Sequence, residues 1–249
     1  MGGEKLDRFY HHWFTNDHAV MGLISELGIE SQVEINPSTT GMYYSNNFYK
    51  LSNPLDLLKF SPLSFLNRIR LGLLTLRVRS VKNWMRLENK SAKEWLLSLG
   101  GKSVYKIVWE PLLKGKFGPY AEDVSAVWFW KKLALRGSSR DKAGREQLAY
   151  FKGGFIKVAE ELSRQIEALG GSIELGNPIS SVYYNEGKWI IRGGKGDIES
   201  DRVIITTSLP LIAKMLESWA PESYLSELNR IKYIGNICLV LELDRPLSS

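Results

Sequence analysis

Cysteine is nearly absent from the 249 residues: Cys238 stands alone. A single thiol excludes an internal disulfide and any zinc site built on cysteines, and it is compatible with a reducing compartment. Histidine is almost as scarce. His11, His12 and His18 have no thiol or paired carboxylate at ligand spacing, so no metal site is expected. No run of about 18 uncharged apolar residues exists, which excludes a spanning helix of ordinary length, and Met1 to Asp7 lacks the apolar core of a signal peptide. Acid is missing locally. Between Asn67 and Arg86 the chain reads NRIRLGLLTLRVRSVKNWMR, with Arg68, Arg70, Arg77, Arg79, Lys82 and Arg86 and no carboxylate.

What is present suits a globular chain: 44% hydrophobic and 24% charged residues, with a net charge of +6, enough for one large domain or two smaller ones. The stretch YFKGGFIKVAEELSRQIEALGGSIEL, residues 150–175, contains two glycine pairs. Gly153-Gly154 is followed by Phe155-Ile156-Lys157, which matches neither the dinucleotide fingerprint nor a P-loop. Apolar residues from Phe155 to Leu169 recur at helical spacing, and Gly170-Gly171 supplies the stop. Beyond it, short β-type runs near 172–175, 179–184, 188–192, 197–199 and 202–206 predict a small sheet with a hairpin at Glu186-Gly187.

Two segments suggest binding. The acid-free basic stretch, with Leu71, Leu73, Leu74, Leu76 and Trp84, reads either as a surface for anionic lipid or another polyanion, or as a core helix with a solvated basic side. No nucleic-acid-binding motif accompanies it, so nucleic acid is not an expected partner. Aromatic residues concentrate at 104–130, where Trp109, Phe117, Tyr120 and Trp128 either line a substrate pocket or fill a core.

LDRFYHHWF at 6–14, ELGI at 26–29, PLDLLKFSPLS at 54–64, WEPLLKGKFG at 109–118, KGGFIKVAEEL at 152–162 and DRVIITTSLP at 201–210 follow one another in an order that resembles the flavin-dependent amine oxidoreductase superfamily. That superfamily includes amine oxidases, protoporphyrinogen oxidases, phytoene desaturases and UDP-galactopyranose mutases. The resemblance implies an α+β fold: a largely helical substrate-binding region plus an incomplete α/β FAD-binding domain with a small antiparallel sheet. It assigns 1–36 and 151–230 to the FAD-binding domain, 37–150 to the substrate region, and 231–249 to the return toward it.

Members open with a G-x-G-x-x-G loop for the FAD pyrophosphate and carry a second glycine-rich flavin segment near their C-terminus. Neither is present in these residues, so the resemblance implies the middle of a longer protein, one that does not hold FAD well by itself. It places Ile179 at the adenine, Thr206, Thr207 and Ser208 at the turn beside the flavin, and Tyr10, His11 and His12 near the isoalloxazine. His11 and His12 are then the acid/base candidates, since imidazole titrates near neutral pH, with a structural role for both as the alternative. Amine oxidases carry a lysine on the strand equivalent to IGNICLVLEL. Here Cys238 and Leu239 occupy that region, which favours desaturase-, isomerase- or mutase-like chemistry on a sizeable lipidic or glycan substrate. The expected location is cytoplasmic, with peripheral membrane contact through the basic segment left open. The rival reading is a non-catalytic module that binds a polyanion through 68–86.

Overall fold

The computed structural model describes residues 7–9, 11–142 and 144–245. The chain divides into two compact units, one through Leu162 and one from Ser163, with the boundary inside a helix.

The first unit begins with β1 (Trp13–Phe14), α1 (His18–Glu26), β2 (Val33–Ser38) and the hairpin β3 (Gly41–Tyr44) and β4 (Asn47–Lys50). A helical block follows: α2 (Pro54–Lys59), α3 (Phe65–Arg79), α4 (Ala92–Val104), α5 (Glu110–Phe117) and α6 (Ala126–Ser138). Local chemistry sets the helix starts. Asn53 and Asp56 form a capping box with Pro54 just inside α2, and Ser91 and Glu94 form a second one at α4. The Ser125 side chain accepts from Val127 N–H to open α6. Leu74, Val78, Trp95, Leu96, Leu113 and Phe129 are buried together between α3, α4, α5 and α6.

The chain returns through β5 (Glu146–Phe151), which takes the centre of a three-stranded antiparallel sheet in the order β1-β5-β2. Ala149 lies opposite both Trp13 and Ile35. Helix α7 (Ile156–Ala168) covers the sheet with Phe155, Val158 and Leu162, which pack on Trp13, Ile24 and Phe151. The helix expected over 155–169 is therefore found one residue shorter at each end, with Gly170 in the left-handed region after it.

In the second unit β6 (Ile179–Asn185), β7 (Lys188–Gly193) and β8 (Gly196–Ser200) form an antiparallel meander, followed by α8 (Leu209–Leu216) and α9 (Glu222–Arg230). Glu186 and Gly187 both have positive φ, 46° and 87°, the two-residue turn whose twist matches its flanking strands. Trp219 Nε1 donates to the Val182 carbonyl at 2.6 Å and seats the α8 end on the sheet.

The expected strands at 172–175 and 202–206 are not formed, nor is the strand that the resemblance places at IGNICLVLEL, residues 234–243. These runs have strand composition but meet no ladder partner among the described residues, and composition alone cannot supply the interstrand hydrogen bonds.

Candidate functional site

Gly153 and Gly154 turn the chain from β5 into α7 with φ of 80° and 87°, a conformation that costs a side-chain-bearing residue about 1–2 kcal/mol. A Cβ on Gly154 would stand 3.5 Å from the Asp7 carboxylate, so the turn lies against the segment that precedes β1. Asp7 accepts a hydrogen bond from the Tyr150 hydroxyl at 2.7 Å. That bond, then burial and the carboxylate charge, pushes the Tyr150 phenol above its ordinary range.

The two adjacent histidines meet different surroundings. His11 is exposed and sets its ring 5.6 Å from Phe155, the residue after the glycine pair. His12 is half-buried and makes an edge contact with Phe14 at 5.5 Å. Its pKa is lowered, first by burial and next by Arg136. Glu146 opposes the shift and Lys132 adds to it. Glu146 is itself buried and faces Arg136 at 3.5 Å. Below them, the fully buried Ser139 hydroxyl receives Thr15 N–H and donates to the Gln147 carbonyl, tying the β1 end to β5. Tyr10 lies outside the described residues.

The aromatic candidates gather elsewhere in the first unit. A π-helical turn, Tyr105–Trp109, joins α4 to α5 and presents Trp109. Trp109 packs edge-on against Phe129 at 5.4 Å, Phe117 edge-on against Trp128 at 5.0 Å, and Trp128 lies 6.3 Å from Phe129. Lys116 and Lys132 stand over the Trp128 ring at 5.5 and 5.9 Å. Tyr120 ends the 3-10 turn Gly118–Tyr120 and is half-buried. Trp109, Phe117 and Trp128 thus form one edge-to-face cluster, joined through Phe129 and leaning on the helical core. Trp109 Nε1 is buried without a hydrogen-bond partner among the described residues. An unsatisfied buried N–H costs about 1–3 kcal/mol, and π turns are frequent at functional sites.

In the second unit Ile179 opens β6 opposite Gly193. Asn177 fixes that corner: its Oδ1 accepts Lys195 N–H at 3.0 Å and would sit 2.6 Å from any Cβ at Gly193. Thr206 and Thr207 are exposed, and Ser208 is the N-cap of α8 without a side-chain cap bond, although its carbonyl accepts from Leu211 and Ile212. The resemblance would put the adenine end and the flavin edge of a nucleotide at these positions; Ile179 is paired in the β6–β7 ladder, and Thr206 and Thr207 are exposed. They offer no glycine-rich cradle for a pyrophosphate. The fit to FAD is therefore partial.

Sequence reasoning missed Asp7, Tyr150, Arg136 and Glu146. Tyr150 and Asp7 are 143 positions apart, so no local spacing could have joined them. Among the described residues no group of three or more His, Cys, Asp or Glu could hold a metal, and no helix is long and apolar enough to cross a membrane.

The fold agrees with what comparison with known proteins shows. The chain belongs to the flavin containing amine oxidoreductase family, whose model matches residues 1–249. Among solved structures it is similar to a CLA-producing fatty acid isomerase from P. acnes, with 13% identity and a TM-score of 0.65 over 92% of this chain and 53% of that one. It is also similar to cyclohexylamine oxidase from Brevibacterium oxydans IH-35A, at 16% identity and 0.57 over 88% and 51%. A putrescine oxidase with redesigned cofactor binding matches at 17% and 0.61 over 88% and 51%. At such identities the likeness is one of fold. The chain spans about half the length of these structures. No curated protein matches it.

Proposed function

We propose that the chain contributes the substrate-binding region and part of the flavin domain of an FAD-dependent oxidoreductase acting on a sizeable apolar substrate, with desaturase-, isomerase- or mutase-like chemistry. The observation that carries this reading is the edge-to-face cluster in which Trp109, on a π-helical turn, meets Phe129, and Phe117 meets Trp128, with the Trp109 indole N–H left buried and unsatisfied among the described residues. Large rigid rings are the groups that commonly line sites for apolar molecules. That a fatty acid isomerase shares the fold supports the substrate class.

FAD, when bound, supplies the two-electron chemistry, leaving the protein to position the substrate, exclude water and handle a proton. Ile179 and Thr206 to Ser208 would contribute to holding it. His12 suits the proton role: burial and Arg136 keep its imidazole neutral near pH 7, so it is poised to accept a proton. His11, against Phe155, is the second candidate.

Flavin reduction measured by stopped flow in the flavin-loaded protein tests the assignment. His12→Gln is expected to lower the rate by about a hundredfold with flavin content unchanged, and His11→Gln by less. Normal rates in both variants would remove histidine from the chemistry.

A further inference from the structure

Helix α3 carries two apolar stripes, and only one of them faces the core. Leu71, Leu74 and Val78 are buried. Phe65, Leu66, Leu73 and Leu76 are 62%, 71%, 59% and 62% exposed, and Ile69 joins them at 41%. At about 100° per residue the exposed set falls within an arc of roughly 100°, well separated from the buried one. Five large apolar side chains on one free helix face form the kind of contiguous patch that monomers seldom leave to water.

The edges of that stripe are cationic. Arg70 and Arg77 lie along one side, Arg68 and Arg79 along the other. Two of these are partly committed to the fold: Arg68 donates to the Leu63 and Leu58 carbonyls at 2.8 and 2.6 Å, and Arg79 to the Gly137 carbonyl at 3.1 Å. Arg70, Arg77, Lys82 and Arg86 make no ion pair among the described residues. The helix is followed by exposed Trp84 and Met85 on the turn Trp84–Leu87. Beside the stripe a groove of about 450 Å³ opens, lined by Leu73, Leu76, Leu99, Arg77 and Ser80, so an apolar chain entering it would have its head beside a guanidinium.

From this geometry we infer that α3 is a membrane-docking surface that lies flat on an anionic phospholipid bilayer, with Phe65, Ile69, Leu73 and Leu76 in the acyl boundary and Arg70 and Arg77 on headgroup phosphates. Leucine stripes rimmed by arginine, with tryptophan at the end, match the layered polarity of that interface. A second copy of the same face would set arginine rims against one another, so charge complementarity favours lipid. This surface is independent of the flavin chemistry proposed above.

The test is cosedimentation with phosphatidylcholine vesicles, with and without phosphatidylserine, together with tryptophan fluorescence compared with that of a Trp84→Phe variant. The protein is expected to bind the serine-containing vesicles at low salt with a blue shift, and to release as ionic strength rises. The double variant Arg70→Glu with Arg77→Glu should bind at least tenfold more weakly. Leu73→Ser with Leu76→Ser should also reduce binding severalfold, while the equal charge change Lys214→Glu with Arg202→Glu leaves it within twofold. All these side chains are exposed, so unchanged thermal midpoints accompany the expected result, and milder Arg→Gln changes repeat the test for any variant that does not fold. Equal binding to both vesicle types, or undiminished binding of the arginine variant, overturns the inference. A dimer that sediments as such and is lost on Leu73→Ser with Leu76→Ser overturns it in favour of a second copy.

Discussion

The unit through Leu162 and the unit from Ser163 contain comparable elements, yet they differ in what those elements bury. In the first, three clusters of packed side chains centre on Leu96, Phe151 and Phe60, each essentially inaccessible to water. In the second, Val182, Ala213 and Leu216 are the buried hydrophobic residues among those described, while Ile204 and Ile237 are 90% and 97% exposed. Correct local structure does not by itself create a core. The β6–β7–β8 meander pairs its strands and is seated by a small set of contacts, among them the Trp219 indole hydrogen bond and the Trp189–Trp219 ring contact, whereas the helical block is held by the large apolar surface it removes from water.

Three measurements break or sharpen this contrast. The largest effect is expected in the first unit: Leu96→Ala leaves a cavity at a fully buried position and should cost about 3 kcal/mol, against less than about 0.5 kcal/mol for Ile204→Ala. Urea unfolding midpoints provide the comparison, and similar costs for the two would abolish it. A smaller effect tests whether the second unit is specified by close backbone fit. Gly193→Ala drives a Cβ to 2.6 Å from Asn177 Oδ1 and should cost about 1–3 kcal/mol. It should be read as faster amide exchange in β6 and β7, with part of the loss recovered by adding Asn177→Ala.

The smallest effect is electrostatic and confined to the first unit. Folding lowers the His12 pKa, so the unfolded chain binds that proton more tightly. The contribution to stability is fully present above about pH 6.5 and is lost as pH falls toward the folded value. His12→Gln should flatten the pH dependence of the thermal midpoint between about pH 5 and 7 relative to the parent. An unchanged slope would mean that burial and Arg136 do not govern this imidazole.

The residues from 150 to 200 show how far reading without a structure reaches. The 3.6-residue pattern of Phe155, Ile156, Val158, Ala159, Leu162, Ile166 and Leu169, closed by Gly170, located α7 to within one residue at each end. The hairpin at Glu186-Gly187 was legible for the same reason, because a two-residue turn with positive φ is decided by the residues that make it. The pairing partners were not legible. Glu146–Phe151 has no clear strand signature and becomes a central strand because β1 and β2 flank it, while the stronger β pattern of Val203-Ile204-Ile205 stays unpaired.

The same division holds for the candidate site. Sequence singled out His11 and His12 as imidazoles and Trp109, Phe117 and Trp128 as rings, since residue type is enough to state what chemistry a side chain can do. It did not distinguish two adjacent histidines, one against Phe155 and the other among Arg136, Glu146 and Lys132, nor did it connect Asp7 to Tyr150. The sequence by itself determined helix periods, caps, tight turns and the acid-free basic segment, because those depend on residues within a few positions of each other. Tertiary structure alone decided which strands exist, which imidazole is half-buried beside Arg136 and Glu146, and which stripe of α3 remains in water. Each of these depends on groups far along the chain, whose burial and fields act only once folding brings them within a few ångströms.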